Sequence, residues 1–323
     1  MYKEYYNLTA MPFQLTPDRQ FFYASREHNR ALSHLVYGLA QEEGFIVITG
    51  EIGAGKTMLV ERLWAELDDR KFATLRILTT QISGDDLLKM IGTGFGRPVD
   101  TGDKAYVLRQ IEQLFAEKQA AGRRCLLVID EVQNLALPAL EELRMLSNIT
   151  VAGRAPFQCL LLGQPQFRQL LADPRLEQLQ QRILASYHLG PLRDDDTREY
   201  VLHRLKTAGW TGNPSFDDAA FAAIHRHTGG IPRRINTLCS RLLLAGYLDD
   251  RHHIGGAMVD DIADELHRDI AAGDPSPQPT DHEGEIGAAV EQRLATIERS
   301  VARHDRAIKR ALEIAVQLIE AVP

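Results

Sequence analysis

Eight consecutive residues, Gly50-Glu51-Ile52-Gly53-Ala54-Gly55-Lys56-Thr57, satisfy the spacing G-x-x-x-x-G-K-[ST] in full. Each residue type has a reason to be there. Gly50, Gly53 and Gly55 let the backbone curl around a phosphate and aim its N–H groups inward. Lys56 reaches the β- and γ-phosphates, and the Thr57 hydroxyl is a magnesium ligand. The helix expected to open near Lys56 adds its positive end, with Met58 just inside it. The run Cys125-Leu-Leu-Val-Ile-Asp130-Glu131 supplies the acidic counterpart. Four apolar residues carry Asp130 to the end of a central strand, where it would hold magnesium through water. Glu131 would then polarise the attacking water as general base. The pair predicts hydrolysis of ATP with Mg2+ rather than nucleotide binding alone; a scaffold that binds ATP without turnover is the reading it argues against.

Three further positions are candidates. Gln164, in Gly163-Gln-Pro165 after a buried strand, is placed to position water or sense the γ-phosphate, or else is a turn amide before Pro165. In Gly229-Gly-Ile-Pro-Arg-Arg-Ile-Asn236, Pro232 suits a helix's first turn, which sets Arg233 and Arg234 at a helix N-terminus. Cations are disfavoured there unless an anion is near, so Arg233 reads as a second sensor of the γ-phosphate. Arg182 precedes the last predicted strand and is a candidate arginine finger for a neighbouring subunit, with Arg175 as rival. His28 and the pair His225/His227 have the chemistry of metal ligands, but no carboxylate or cysteine accompanies them in sequence. They read as helix-surface histidines.

Alternating short apolar runs and helical patterns position these groups. Strands are predicted at 45–49, 74–78, 125–130, 157–162 and 185–189. Helices are predicted at 27–42, 56–67, 85–95, 106–121, 139–148 and 166–172. This is the signature of a parallel sheet covered on both faces. After Pro191 only helical patterns occur, at 197–208, 217–228, 233–248 and 259–269, which describes a small helical domain. The aromatic, turn-rich residues 1–30 read as an extended arm packed on the body. Residues 272–285 hold Pro275, Pro277 and Pro279 among small polar residues and form a linker. From Val290 to Val322 apolar residues recur in 4-3-4-3 spacing, a heptad seam of a coiled-coil helix over 286–322. The expected domains are therefore an arm (1–30), a phosphate-loop domain (31–192), a helical lid (193–271), the linker and the heptad helix.

Composition limits the setting. The 323 residues carry a net charge of −7, so no global basic field announces nucleic acid. The N-terminus lacks a signal-peptide pattern, and the longest apolar runs are far shorter than a bilayer span. Cys125, Cys159 and Cys239 are isolated in apolar segments and read as buried hydrophobes of a reducing compartment. A cytoplasmic location is expected. The heptad segment has six basic and five acidic residues, which fits a solvated coiled-coil exterior better than an anionic-membrane binder. An amphipathic helix folding back on the lid is the alternative.

Together, Tyr6-Asn-Leu, Pro12-Phe13, Thr16-Pro-Asp18, Phe22-Tyr23, His28, the phosphate loop, Val128-Ile-Asp-Glu-Val-Gln133, Gly163-Gln-Pro165 and Gly230-Ile-Pro-Arg-Arg-Ile-Asn236 resemble the general secretion pathway protein A family of AAA+ ATPases. The resemblance covers about residues 1–270. It extends to secretion ATPases of bacterial exosortase (PEP-CTERM) and exopolysaccharide loci. It implies an α/β AAA+ module with strand order 5-1-4-3-2 and a helical lid. It also implies that the arm borders the adenine, with Phe13 and Tyr23 near the base. Members of that family continue through a membrane helix into a peptidoglycan-binding region; here a linker and a heptad segment follow, so assembly through a coiled coil is expected. The implied function is an ATP-driven motor or switch for an envelope-associated secretion or exopolysaccharide system. It would act as a homo-oligomeric ring or filament, with a membrane-associated partner on the C-terminal helix and a position peripheral to the inner membrane. The alternative is a DNA-associated ATPase of the transposition-helper type, whose core is similar.

Overall fold

The computed structural model describes residues 2–78, 81–99 and 103–271. Its elements run α1 (Tyr2–Tyr5), α2 (Arg26–Ala40), β1 (Phe45–Gly50), α3 (Lys56–Glu66), β2 (Phe72–Leu78), α4 (Gly84–Gly94), α5 (Lys104–Ala120), β3 (Arg124–Asp130), α6 (Leu137–Leu146), β4 (Phe157–Gly163), α7 (Gln166–Leu171), α8 (Glu177–Gln180) and β5 (Ile183–Leu189). There follow α9 (Asp194–Thr207), β6 (Ser215–Phe216), α10 (Asp218–Thr228), α11 (Pro232–Leu248), β7 (His253–Ile254) and α12 (Gly256–Ala271).

Strands β1 to β5 form one sheet in the order β2-β3-β4-β1-β5, with every pair parallel. This is the expected 5-1-4-3-2 order. The inner strands are buried at every residue of β1 and β4 and along β3 from Cys125 on. Their side chains alternate between two cores, as a pleated strand covered on both faces requires. Phe45, Val47, Cys125, Leu127, Ile129, Cys159 and Leu161 face a core completed by α4, α5 and α6. Ile46, Ile48, Leu126, Val128, Leu160 and Leu162 face the other, completed by Ala31, Leu35 and Leu39 of α2 and Leu59, Val60 and Leu63 of α3. Both cores pull β1, β3 and β4 tight, so the strand ends that carry Gly50, Asp130 and Gly163 are held by the best-packed part of the sheet.

Among the described residues, contacts group Gln14–Thr207 with Thr228–Asn236 in one unit, and residues 2–13 with Ala208–His227 and residues 237–271 in another. The second unit is mostly helical but not wholly so: Ser215–Phe216 and His253–Ile254 pair as a two-stranded parallel ladder. Two residues per strand are too short to leave a periodic signal, which is why the sequence reads as helical throughout. The arm is likewise not extended throughout, since residues 2–5 form a helical turn and Arg19–Phe21 a 3-10 turn. Within the helical unit Tyr5 stacks on His252 at 5.1 Å, and the buried Tyr6 donates its hydroxyl to the Arg251 carbonyl at 2.9 Å. The expected linker and heptad helix lie outside the described residues. Among the described residues no helix is long and apolar enough to cross a membrane.

Candidate functional site

The turn after β1 uses its glycines for space as well as for φ. Gly53 and Gly55 lie at φ 82° and 102°, where a side chain is strained. A Cβ on Gly53 would fall 2.3 Å from the Arg233 Cβ, and one on Gly55 would fall 2.6 Å from His28 Nε2. The loop is thus clasped from two sides. On one, the Arg233 N–H donates to the Gly53 carbonyl at 3.2 Å from the first turn of α11, with Arg233 itself exposed. On the other, the His28 imidazole lies beneath Ala54 and Gly55. Glu51 and Ile52 form the exposed crest of the loop, Ala54 is buried, and Met58 begins the outer side of α3.

His28 is 5% exposed, so the reading of it as a helix-surface histidine is overturned. It sits in the first turn of α2, whose N-cap is Ser25. The Ser25 hydroxyl lies 2.7 Å from His28 Nδ1 and also accepts from the His28 N–H at 3.3 Å. Burial pushes the His28 pKa down to about 4, against a smaller upward pull from a hydrogen bond with the Ala54 backbone. His28 is therefore neutral at neutral pH. In sequence nothing marks this role, because the loop it supports lies more than twenty residues away.

Lys56 is buried and donates to the Gly50 carbonyl at 2.7 Å and the Glu51 carbonyl at 3.0 Å. Burial lowers its pKa, countered by the charges of Glu131, Asp130 and Glu51. Thr57 Oγ1 donates to Asp130 Oδ2 at 3.3 Å, which brings the two candidate magnesium-binding groups together from α3 and the end of β3. Asp130, 4% exposed, also receives Arg76 Nη2 of β2 on that same oxygen at 2.8 Å. Arg76 Nη1 in turn bonds Glu61 Oε1 at 3.0 Å, and its guanidinium lies over the Trp64 ring. This internal counter-ion goes unnoticed in the sequence, where Arg76 is one residue of an edge strand.

Glu131 turns out of β3 at φ 54°, ψ 40°, a left-handed conformation uncommon for a non-glycine residue. Its N–H donates to Asp130 Oδ1 at 3.0 Å. Two amides converge on Glu131 Oε2: Gln133 Nε2 at 2.6 Å and Gln164 Nε2 at 2.9 Å. The Gln164 N–H donates to Gln133 Oε1 at 2.9 Å and locks the two amides together. Burial raises the carboxyl's pKa, but the Gln164 and Gln133 hydrogen bonds and the Lys56 charge together outweigh it. The net effect holds Glu131 below the usual glutamate range. Gln133 has no role assigned from sequence; its place two residues after the acidic pair is the signal that could have marked it.

Arg182 does not join this cluster. Its carbonyl accepts from the Phe45 N–H at the start of β1, whereas the loop leaves the other end of that strand, about 16 Å away at the usual rise per residue. Its guanidinium donates to the Ser147 carbonyl at 2.8 Å and to the Asn148 side chain. Arg175 is exposed and paired with Asp173. Tyr23 packs against the rings of Tyr200 and His203, while the neighbouring Phe22, with Arg19, Met58, Arg62 and Ala65, lines a pocket of about 120 Å³. Phe13 is buried, and it groups with the helical unit.

A model of the AAA domain family matches residues 39–171, which span β1, the loop, β3 and β4. General secretion pathway protein A of Aeromonas hydrophila is 38% identical over 256 residues, which is 79% of this chain and 46% of that protein. The chain thus spans about half the length of the curated relative it matches. Among solved structures, Cdc6p from Pyrobaculum aerophilum superposes with a TM-score of 0.59 at 18% identity, over 74% of this chain and 68% of that one. Drosophila ORC bound to DNA gives 0.59 at 16% identity, over 83% and 67%. The RuvB Holliday junction branch migration motor of Thermotoga maritima gives 0.51 at 17% identity, over 75% and 70%. At such identities the likeness is one of fold.

The sheet order, the loop that closes β1 and the acidic end of β3 define an AAA domain of the P-loop class. More particularly, the chain carries an AAA domain at residues 39–171 and is related to general secretion pathway protein A.

Proposed function

We propose that the chain binds ATP with Mg2+ on the 50–58 loop and hydrolyses it, as a motor or switch for an envelope-associated secretion or exopolysaccharide assembly system. The observation that carries the catalytic reading is the convergence of Gln133 and Gln164 on Glu131 beside Asp130 and Lys56. A carboxylate held ionised and oriented by two fixed amides is what a general base for water needs. The secretion reading is supported by the relative at 38% identity.

In this reading the loop N–H groups cradle the phosphates, and Lys56 exchanges the Gly50 and Glu51 carbonyls for β- and γ-phosphate oxygens. Thr57 and Asp130 offer the oxygen donors that a hard cation prefers, so their residue types fit Mg2+. When bound, the ion would neutralise charge on the β- and γ-phosphates. Asp130 must then loosen its bond to Arg76. Glu131 takes the proton of the attacking water, Gln164 and Gln133 keep its carboxylate aimed, and Arg233 reports the γ-phosphate through its grip on Gly53. The base is proposed to rest on the Phe22 and Met58 side of α3, and the pocket there must open further to take it. Arg182, remote from its own loop, is proposed to serve a neighbouring copy, which makes the working form a ring or filament. The heptad segment is proposed to add to that association or to hold a membrane-associated partner.

The test is a pair of measurements on Glu131→Gln. Turnover should fall by about 10²–10⁴-fold, the usual share of a general base, while ATP binding stays near wild type. Unchanged turnover would remove Glu131 from the mechanism. The fold likeness to a DNA-bound ORC and to RuvB keeps a DNA-associated role as second reading. Stimulation of turnover by double-stranded DNA, falling steeply with salt, would promote it; no effect at low salt would discard it.

A further inference from the structure

His225 and His227 have no neighbouring carboxylate or cysteine in sequence, but the fold brings α12 to the end of α10. One ligand atom from each of His227, Asp264 and His267 lies within 4.8 Å of the other two. The two imidazole rings are 6.3 Å apart at 48°. Among the described residues no hydrogen bond joins these three side chains to one another, so their convergence is not explained by bonding within the group. A fourth residue acts on the group from outside it. Asp260, one turn before Asp264 on α12, lies with Oδ1 2.7 Å from His227 Nε2 and is also bonded by Arg226. Metal-ligating histidines are commonly oriented in this way, by a carboxylate on the ring nitrogen that does not bind the ion.

The donor types narrow the ligand. Two imidazoles and one carboxylate suit a borderline divalent ion such as zinc or cobalt, whereas Mg2+ prefers oxygen donors throughout. Bonds of 2.0–2.1 Å in tetrahedral array set donors about 3.4 Å apart, so the widest present separation must close by no more than about 1.4 Å. Asp264 and His267 are exposed and His227 is half-buried, which leaves side-chain rotation free to make that adjustment. Arg226 supplies the opposing charge, but it is turned to Asp260.

We propose that His227, Asp264 and His267 form a binding site for a divalent transition ion of the zinc class, with Asp260 orienting His227 and water completing the coordination. The site belongs to the helical unit and contains none of the nucleotide-binding groups. Its ion would clip the last turn of α10 to α12.

The experiment uses the full chain without nucleotide, titrated with Zn2+ against a chromophoric chelator and separately with Co2+. The expected result is stoichiometric Zn2+ uptake that excess Mg2+ does not displace, with a visible Co2+ absorption band of low-symmetry coordination. Both should be lost in the double variant Asp264→Asn, His267→Ala, in which ATP binding reports that the rest of the chain is intact. Asp260→Asn should weaken uptake by roughly tenfold, as loss of an outer carboxylate does. Absence of uptake, or uptake that the double variant retains, would overturn the site; an unchanged affinity in Asp260→Asn would overturn the orienting role.

Discussion

At the level of single residues, the acidic strand end is more crowded than its spacing announces. Glu131 is held in its ionised form chiefly by amides, so its acid limb can be moved without touching it. A base must be deprotonated to work, and its activity is present above its pKa and lost as pH falls through that value. Removing a donor raises the pKa. Gln133→Ala is therefore expected to lower turnover by roughly tenfold, the worth of one hydrogen bond to a charged group, and to shift the acid limb of the pH–rate profile upward. A profile with an unmoved limb would show that Gln133 only packs. Arg76 makes a different demand. It pairs with the buried Asp130 from β2, so Arg76→Met removes that ion pair from the carboxylate. Stability without Mg2+ should fall by about 2 kcal/mol, below the figure for a fully buried pair because Arg76 is partly exposed. Half-saturation with Mg2+ should move to lower concentration as the competitor for Oδ2 disappears. Calorimetric unfolding with and without the ion reads both effects. The motif spacing marks Lys56, Thr57, Asp130 and Glu131 because their chemistry dictates their separation. Arg76 and His28 leave no such mark, since each acts through a partner that only the fold brings near; Gln133 is marked only by lying two residues after the acidic pair.

At the level of elements, the first turn of α2 is a prop for the loop between β1 and α3. The Ser25 cap, the imidazole and the loop backbone form one stack, and Gly55 is the position that admits it. Gly55→Ala meets both a φ of 102° and the His28 ring, so nucleotide binding should be lost. Adding His28→Ala should relieve the steric part and leave the backbone part, giving partial recovery of binding; no recovery would mean that φ alone decides. The prop also makes stability depend on pH. Since the His28 pKa is depressed to about 4 from 6.5, the folded chain binds this proton less readily than the unfolded one. The contribution is complete above about pH 6.5 and is lost as pH falls toward 4, on the order of 3 kcal/mol in all. Urea unfolding of wild type and His28→Gln across that window should show a steeper loss in wild type; parallel curves would contradict a buried neutral imidazole. The sheet and its covering helices were legible because inner strands read as unbroken apolar runs and the helices show their periodic faces. The β6–β7 ladder was not, because two residues per strand carry no period, and neither was the helical turn at Tyr2–Tyr5.

At the scale of the whole molecule, the position of Arg182 sets what the chain can do alone. Its backbone is pinned at the start of β1, and its guanidinium rests on Ser147 and Asn148 at the end of α6. The loop that would hold ATP leaves the opposite end of the same strand, so within one chain the two are separated by a strand's length. An arginine that stabilises the transition state must touch the transferring phosphate, so the proposed finger role of Arg182 requires a phosphate held by another copy. Turnover per subunit should therefore rise with protein concentration and level off as copies associate. Arg182→Ala should flatten that curve, with a loss of up to about 10³-fold at saturation, the lower range for an arginine finger. Because the substitution also removes bonds to α6, the thermal midpoint is measured beside the rate. A rate that falls only in step with stability would assign Arg182 to holding α6. Mixing settles the distinction. Glu131→Gln keeps its own Arg182 but cannot hydrolyse, while Arg182→Ala keeps its own base but lacks a finger to lend. Combined in equal amounts, the two inactive chains should regain part of the wild-type rate, since each interface that pairs an intact Glu131 with a neighbour's Arg182 is complete. A mixture as inactive as its components would mean that the arginine does not act across an interface.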